Sequence, residues 1–304
     1  MTAILRVGTR GSALAMAQSG SMASAITAKT GVECELVPIR TEGDTSSESL
    51  ASLGGTGVFA SALRDALRDG RCDVVVHSLK DLPTAPEPGL VIAAVPKRVD
   101  ARDALCARDE LTLDTLPEGA RVGTGSPRRV AQLRARRPDL EVIDIRGNVD
   151  TRLRKVADGE LDAVVLAAAG LQRLGRLDAI TEYLGIDGWP TAPGQGALAL
   201  EVRAGDEKLV RSLEHATSRI IVDAERQVLS ILEAGCSAPL GAHGVVDDGM
   251  LFLSARVYSA DGSERLTSSH ALYVSDSKDP AGDLAARVAK ELFDQGAAAL
   301  MGAR

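Results

Sequence analysis

The sequence contains few aromatic residues, and this scarcity limits the kinds of partner the chain can have. Phe, Trp and Tyr together make up only 2% of the 304 residues, and the net charge is −7. Nucleic-acid-binding proteins are normally basic and stack bases on aromatic rings, so we expect no nucleic-acid partner. No apolar run approaches the roughly 18 residues of a membrane helix, and no signal-peptide pattern is seen. We therefore expect a cytoplasmic protein with no membrane partner.

Cysteine and histidine are also scarce, with four residues of each. No two cysteines have metal-ligand or Cys-x-x-Cys spacing, which predicts a reducing compartment and no disulfides. The histidines show no metal-binding pattern either, so we expect no metal site. A Gly-x-Ser-x-Gly elbow is missing, which gives a serine hydrolase little support.

Cys236 differs from the other cysteines in its surroundings. It lies in the run Gly235-Cys236-Ser237-Ala238-Pro239, where a thiol has little to pack against. An exposed thiol can ionise and attack an electrophile, so a chemical role is favoured over a small residue in a turn. In contrast, Cys34, Cys72 and Cys106 lie in or beside apolar, strand-like segments and are predicted to lie in the core or next to it.

Arginine is abundant, since only seven of the 35 basic residues are lysine. The guanidinium group binds carboxylate or phosphate with two parallel hydrogen bonds. Ser126 and Pro127 predict a helix start, which places Arg128 and Arg129 in the first turn, where positive charge is unfavourable. This arrangement predicts an anion-binding site rather than a solvated surface.

Other arginines repeat this pattern at predicted strand ends and helix starts. Arg146 ends a strand, and Arg152 lies one turn into the helix that follows; Arg10 and Arg173 follow other strands. Together they predict a ligand with several negative charges. Lys80 and Asp81 follow a buried apolar run, and they form either a local ion pair or a functional acid within a positive site.

Strands and helices alternate along most of the chain, which predicts an α/β fold. We expect two doubly wound lobes resembling those of periplasmic-type binding proteins, followed by a small C-terminal antiparallel α+β domain. The predicted boundaries are residues 1–98 and 192–216 for domain 1, 99–191 for domain 2, and 217–304 for domain 3.

Five segments in order along the chain resemble motifs of the porphobilinogen deaminase family: Thr9–Ser12, Val76–Pro83, Gly123–Arg129, Arg146–Arg152 and Glu233–Cys236. This resemblance implies a transferase of haem and tetrapyrrole biosynthesis. It would join four porphobilinogen molecules head to tail, release ammonia each time, and finally release hydroxymethylbilane by adding water. The resemblance also implies a monomer with one dipyrromethane cofactor, attached covalently to Cys236 through a thioether.

The resemblance further assigns roles to individual residues, with Asp81 as the catalytic carboxylate. Besides Cys236, the implied cofactor-binding residues are Ser12, Lys80, Asp81, Thr124, Ser126, Arg128, Arg129, Arg146 and Gly147. The implied substrate-binding residues are Arg10, Ser12, Arg146, Arg152, Arg173 and Gln195.

The sequence departs from the family pattern at a few positions. Ser52 and Thr56 stand where lysines are expected, and Gly125 and Asp150 replace an expected serine and glycine. We expect Asp150 to orient Arg146 or Arg152. Two alternatives remain open: a two-lobed small-anion-binding protein without catalysis, and a cysteine-nucleophile acyl transferase.

Overall fold

The computed structural model describes residues 4–39, 57–232 and 238–301, which form two compact units. The first unit comprises the described residues up to Val99 together with Ala197–Arg219. The second comprises Asp100–Gly196 and the described residues from Ile220 onward. The division into three domains stays a prediction. Among the described residues, no helix is both long enough and apolar enough to cross a bilayer.

Helices and strands alternate as the sequence predicts. The helices are α1 (Ala13–Thr30), α2 (Gly57–Arg68), α3 (Pro127–Arg136), α4 (Val149–Ala157), α5 (Ala168–Arg173), α6 (Ala216–Ile231), α7 (Pro280–Asp294) and α8 (Ala297–Leu300). The strands are β1 (Leu5–Thr9), β2 (Cys34–Pro38), β3 (Val74–Ser78), β4 (Leu90–Ala94), β5 (Asp103–Ala107), β6 (Arg121–Gly123), β7 (Glu141–Ile143), β8 (Ala163–Ala167), β9 (Glu182–Leu184), β10 (Leu198–Arg203), β11 (Leu240–Asp247), β12 (Met250–Tyr258) and β13 (Arg265–Tyr273).

The first unit contains a five-stranded sheet in the order β2-β1-β3-β10-β4. β1 pairs in parallel with β2 and β3, whereas β10 is antiparallel to β3 and β4. Apolar side chains pack on both faces of this sheet, as expected for strands that helices cover on both sides. Because β1 and β3 are parallel, their carboxyl ends lie at the same edge of the sheet.

The second unit contains a similar sheet in the order β7-β6-β8-β5-β9. β6 pairs in parallel with β7 and β8, and β5 is antiparallel to β8 and β9. A separate antiparallel sheet, β11-β12-β13, packs against α6 and α7 around its own apolar core. These sheets confirm the predicted fold class of two α/β lobes with a C-terminal antiparallel α+β region.

Strand direction is where the structure departs from the simplest α/β pattern. β10 and β5 reverse direction, so both large sheets are mixed rather than wholly parallel. The apolar run of β10 does not indicate whether the strand is parallel or antiparallel to its neighbours, because both faces of the strand are buried. β4 and β9 were not predicted. β4 is an unbroken apolar run of the same kind as β3 and could have been recognised from it, whereas β9 is only three residues long.

Candidate anion-binding site

In the first unit, two pairs of predicted site residues lie at the ends of neighbouring parallel strands. Arg10 and Ser12 follow β1, and Lys80 and Asp81 lie in the 3-10 turn that follows β3. Ser12 caps α1 by accepting a hydrogen bond from a backbone N–H at 3.3 Å. Asp81 is exposed, whereas Arg10 and Lys80 are half-buried. The carboxylate is therefore open to solvent while the two cations are partly shielded.

Gln18, which the sequence analysis missed, stabilises the start of this turn. Its buried side-chain amide donates a hydrogen bond to Oγ of Ser78, the last residue of β3, at 3.0 Å. Gln18 lies on the buried face of α1 together with Ala23 and Ile26. A glutamine among the small and apolar residues of the buried helix face is the signal that could have revealed it.

A buried ionic network includes His77 near the end of β3 and Glu201 of β10. The Arg64 guanidinium donates to both carboxylate oxygens of Glu201 at 2.9 to 3.1 Å, and His77 Nε2 lies 3.1 Å from Glu201 Oε2. Arg64 also donates to Glu87 at 2.7 Å. Burial alone would raise the pKa of Glu201, but hydrogen bonds from His77 and Arg64 lower it to about 2. The network thus joins β3 and β10 through an ionised carboxylate.

In the second unit, α3 begins where the sequence predicts. Ser126 is the N-cap residue and Pro127 the first helical residue, although the Ser126 side chain makes no capping hydrogen bond. The Ser126 backbone N–H instead donates to Oγ1 of buried Thr124 at 3.3 Å. Arg128 and Arg129 occupy the first turn as predicted, but they are buried, with only 3% and 6% of their surface exposed.

Asp103, which the sequence analysis did not select, accounts for the burial of these arginines. Its Oδ2 accepts hydrogen bonds from Arg128 Nη2 at 2.8 Å and Trp189 Nε1 at 2.9 Å. Its Oδ1 accepts from Arg129 Nη2 at 2.6 Å and Gln195 Nε2 at 2.8 Å. Burial would raise the pKa of Asp103, but the charges of Arg128 and Arg129 lower it strongly, so this carboxylate is ionised.

The two arginines use their remaining nitrogens differently. Arg128 Nη1 donates to Gln132 Oε1 at 2.6 Å and to the Pro190 carbonyl at 2.9 Å. Arg129 Nη1 donates to the Val165 carbonyl at 2.9 Å. Nε of both arginines is buried and has no hydrogen-bond partner among the described residues. Burial lowers the pKa of Arg128, which is consistent with an incompletely compensated cation.

Arg152 and Arg146 extend this concentration of positive charge. Arg152 Nε donates to the Gly147 carbonyl at 2.8 Å, and Gly147 has a φ of 104° that favours glycine. The pKa of Arg152 is lowered first by burial and then by the charges of Arg129 and Arg146. Four arginines predicted at separate helix starts and strand ends therefore act on one another electrostatically.

Arg173 and Gln195 are placed by backbone carbonyl groups. Arg173 Nη2 donates to the Gly196 carbonyl at 2.7 Å, and burial lowers the Arg173 pKa to about 10. The buried amide of Gln195 donates to the Ala101 carbonyl at 2.8 Å as well as to Asp103. Gln195 therefore contacts the carboxylate that holds the two buried arginines.

The departures from the family pattern have local structural consequences. Asp150 does not orient Arg146 or Arg152 as expected; its Oδ1 instead lies 2.8 Å from Arg176 Nη1, and this ion pair neutralises its charge. At Gly125 an added Cβ would lie 2.6 Å from the Ile145 carbonyl oxygen, so a serine here would require the backbone to move.

Two of the four cysteines have the core positions that the sequence predicts. Burial raises the pKa of the Cys72 thiol to about 11 and that of Cys106 to about 12, so both are protonated at neutral pH. Cys236, Ser52 and Thr56 lie outside the described residues. The attachment role of Cys236 and the effect of Ser52 and Thr56 therefore stay predictions.

Comparisons with known proteins cover nearly the whole chain. Residues 5–211 match the family model "Porphobilinogen deaminase, dipyromethane cofactor binding domain", and residues 220–294 match "Porphobilinogen deaminase, C-terminal domain". The chain is 62% identical to porphobilinogen deaminase of Leifsonia xyli, covering 97% of this chain and 94% of that protein. It is 52% identical to porphobilinogen deaminase 1 of Streptomyces coelicolor, covering 99% and 98%.

Among solved structures, the chain is similar to the methionine-binding protein MetQ, with 12% identity and a TM-score of 0.45 over 69% of this chain and 88% of that one. The family models and the identity to relatives are decisive by themselves. The chain belongs to the porphobilinogen deaminase family.

Proposed function

We propose that this chain is a transferase that condenses four porphobilinogen molecules head to tail into hydroxymethylbilane. Each porphobilinogen loses its amino group as ammonia, and its aminomethyl carbon bonds to the free α-carbon of the preceding ring, whose hydrogen leaves as a proton. Water adds at the end to release the product. Membership of the family supports this reaction, and the observation that carries it is that two buried arginines, Arg128 and Arg129, share the single carboxylate of Asp103.

The residues of the second unit fit a dipyrromethane cofactor with several carboxylates. Each pyrrole ring of the cofactor carries an acetate and a propionate, so a site for it needs fixed cations and N–H donors. Arg128 and Arg129 together carry two positive charges against the single carboxylate of Asp103, and both retain a buried Nε–H without a partner among the described residues. Buried donors of this kind are costly unless a ligand satisfies them.

We assign cofactor binding to residues at strand ends and helix starts of both units. In this proposal the carboxylates of the cofactor are bound by guanidinium, ammonium, hydroxyl and backbone groups. These groups belong to Ser12, Lys80, Thr124, Ser126, Arg128, Arg129, Arg146 and Gly147. The cofactor, attached to Cys236, supplies the α-carbon to which the first substrate is joined. The side chains of Arg10, Ser12, Arg146, Arg152, Arg173 and Gln195 bind the substrate.

Asp81 is assigned the catalytic role. Its side chain is exposed at the end of β3, on a turn that the buried Gln18 supports through Ser78. Loss of ammonia from the substrate develops positive charge on the pyrrole nitrogen, and a carboxylate at that point stabilises the charge and accepts or returns protons. In this proposal Lys80, beside Asp81, binds a substrate or cofactor carboxylate.

Intact-mass spectrometry tests the proposal directly. Protein purified after expression with porphobilinogen available should carry one dipyrromethane increment, and Cys236→Ala should carry none and be inactive. Cys34→Ala, which removes the half-buried thiol of β2, is the matched control and should keep both the increment and activity. Protein that binds porphobilinogen without any covalent increment would instead support the anion-binding alternative, and an increment on Cys236→Ala would move the attachment to another residue.

We further propose that the enzyme acts as a monomer in the cytoplasm, without a membrane or nucleic-acid partner. The scattered cysteines, of which Cys72 and Cys106 are buried free thiols, support a reducing compartment. Light scattering coupled to size exclusion should give a mass close to the chain's 31.7 kDa. A mass twice that value across a range of concentrations would overturn the monomer.

A further inference from the structure

Asp103 is a fully buried carboxylate of the second unit. It is the first residue of β5, has no exposed surface, and accepts four hydrogen bonds from side chains of three separate segments. A carboxylate has about four lone-pair sites, so this one is fully used. Asp103 therefore has no remaining capacity to bind ligand and acts only on the side chains around it.

The charges around Asp103 do not balance. One carboxylate faces the guanidinium groups of Arg128 and Arg129, at 2.8 and 2.6 Å, in a region from which solvent is nearly excluded. Two buried guanidinium groups without any carboxylate would repel each other and carry a large desolvation cost. Two carboxylates would cancel the positive charge. A single one allows both arginines to be buried and leaves a net positive charge for an anion.

The geometry also fixes which nitrogens remain available. Asp103 engages one Nη of each arginine, and carbonyl groups of Pro190 and Val165 engage the other Nη. Each guanidinium is thus held in place from two sides while its Nε–H stays without a partner among the described residues. Trp189 and Gln195 in turn fix the carboxylate, since each donates to a different oxygen.

We propose that Asp103 is a positioning residue that sets the orientation and net charge of Arg128 and Arg129 for binding the carboxylates of the dipyrromethane. Asp103 does not touch the cofactor or the substrate. This inference rests on the proposed function, because it assumes that these arginines bind the cofactor. It predicts that removing the Asp103 charge impairs cofactor loading more than it impairs folding.

Asp103→Asn tests this prediction in the full-length chain. The asparagine NH₂ would face guanidinium N–H donors, so at least one arginine loses its acceptor. The readout is the rate at which cofactor-free protein gains the dipyrromethane mass increment as the porphobilinogen concentration is varied. We expect the half-saturating concentration to rise by roughly tenfold or more, the effect of one lost charge-assisted hydrogen bond.

Asp162→Asn is the matched control. Asp162 also lies at the start of a strand in the same sheet and pairs with two arginines, with its Oδ1 2.9 Å from Arg108 Nε and its Oδ2 3.6 Å from Arg121 Nε. Loss of this carboxylate should affect stability but leave loading unchanged at temperatures where the protein is folded. Equal loading by Asp103→Asn and Asp162→Asn would overturn the proposal, while absence of an increment in unsubstituted protein would instead overturn the proposed function.

Fluorescence gives a readout independent of loading. Trp189 is the single tryptophan of the chain, and its Nε1–H donates to Asp103, so its emission reports on this carboxylate. Asp103→Asn should shift the emission and Asp162→Asn should not. Should Asp103→Asn fail to fold, Trp189→Phe removes only one of the four donors and should slow loading severalfold. Unchanged loading in Trp189→Phe would then count against a positioning role.

Discussion

Acid should weaken the first unit, and the protonation of Glu201 should contribute a large part of this effect. Glu201 is buried, with 2% of its side chain exposed, and is hydrogen-bonded to both Arg64 and His77. Its pKa in the folded protein is lowered from 4.5 to about 2. Because the folded pKa is lower than the unfolded one, the stabilisation is complete above pH 4.5 and is lost as the pH falls toward 2.

The size of this effect follows from the shift in the pKa of Glu201. At about 1.4 kcal/mol per pKa unit, the shift corresponds to ~3 kcal/mol of unfolding free energy at neutral pH. Integration of the proton uptake from pH 6 to pH 3 gives a loss of ~2 kcal/mol, with the rest lost between pH 3 and 2. Glu201→Gln should remove this contribution to the acid dependence and should be less stable than the unsubstituted protein at pH 7, because Arg64 then lacks a buried counter-charge.

Hydrogen exchange measured by mass spectrometry is suited to this test. All tyrosines and the tryptophan lie in the second unit, so fluorescence does not report on the first. Peptides covering β3 and β10 should show the ~2 kcal/mol loss in opening free energy between pH 6 and pH 3, after correction for intrinsic exchange rates. A loss below ~0.5 kcal/mol, or the same acid dependence in Glu201→Gln, would refute the reasoning.

Two substitutions test the proposed site itself. Asp81→Asn should fold and keep the cofactor increment, but its turnover should fall by roughly 100-fold or more. Asp69→Asn, which changes an exposed acid of the same unit, should have normal turnover. Near-normal turnover of Asp81→Asn would contradict the catalytic role of Asp81. Arg152→Gln should slow cofactor loading by roughly tenfold without lowering the thermal midpoint, since it removes a charge that neighbouring arginines repel. Arg154→Gln, on the exposed face of the same helix, should change neither, and a lower midpoint in Arg152→Gln alone would contradict the repulsion.

Much of the fold was predictable because its signals are local. Ser12 and Asn148 accept capping hydrogen bonds at the helix starts that the sequence indicates. The apolar runs that form β3 and β8 are buried as predicted. Helix starts and buried strands depend on neighbouring residues, whereas strand direction depends on where the chain returns to the sheet. This explains why the reversal of β10 was not predicted.

The candidate site was predictable only in part, for the same reason. The sequence placed Arg128 and Arg129 at a helix start, and the structure agrees. Their counter-charge, Asp103, lies 25 residues earlier in the chain, in a segment whose sequence predicts only a strand. No local pattern links the two segments. The burial of both arginines, and the partial neutralisation that makes it tolerable, required tertiary information.

The placement of these arginines is unfavourable for the protein without its ligand. Positive charge in the first turn of α3 opposes the helix dipole, and burial lowers the pKa of Arg128. Burial also lowers the pKa of Arg152, and the charges of Arg129 and Arg146 lower it further. A sequence selected for stability alone would place acids or apolar residues there. In the proposed site, bound carboxylates would relieve this unfavourable charge, so part of the binding free energy would come from contacts made only with the ligand. Asp103 limits this cost to a level at which the unit still folds.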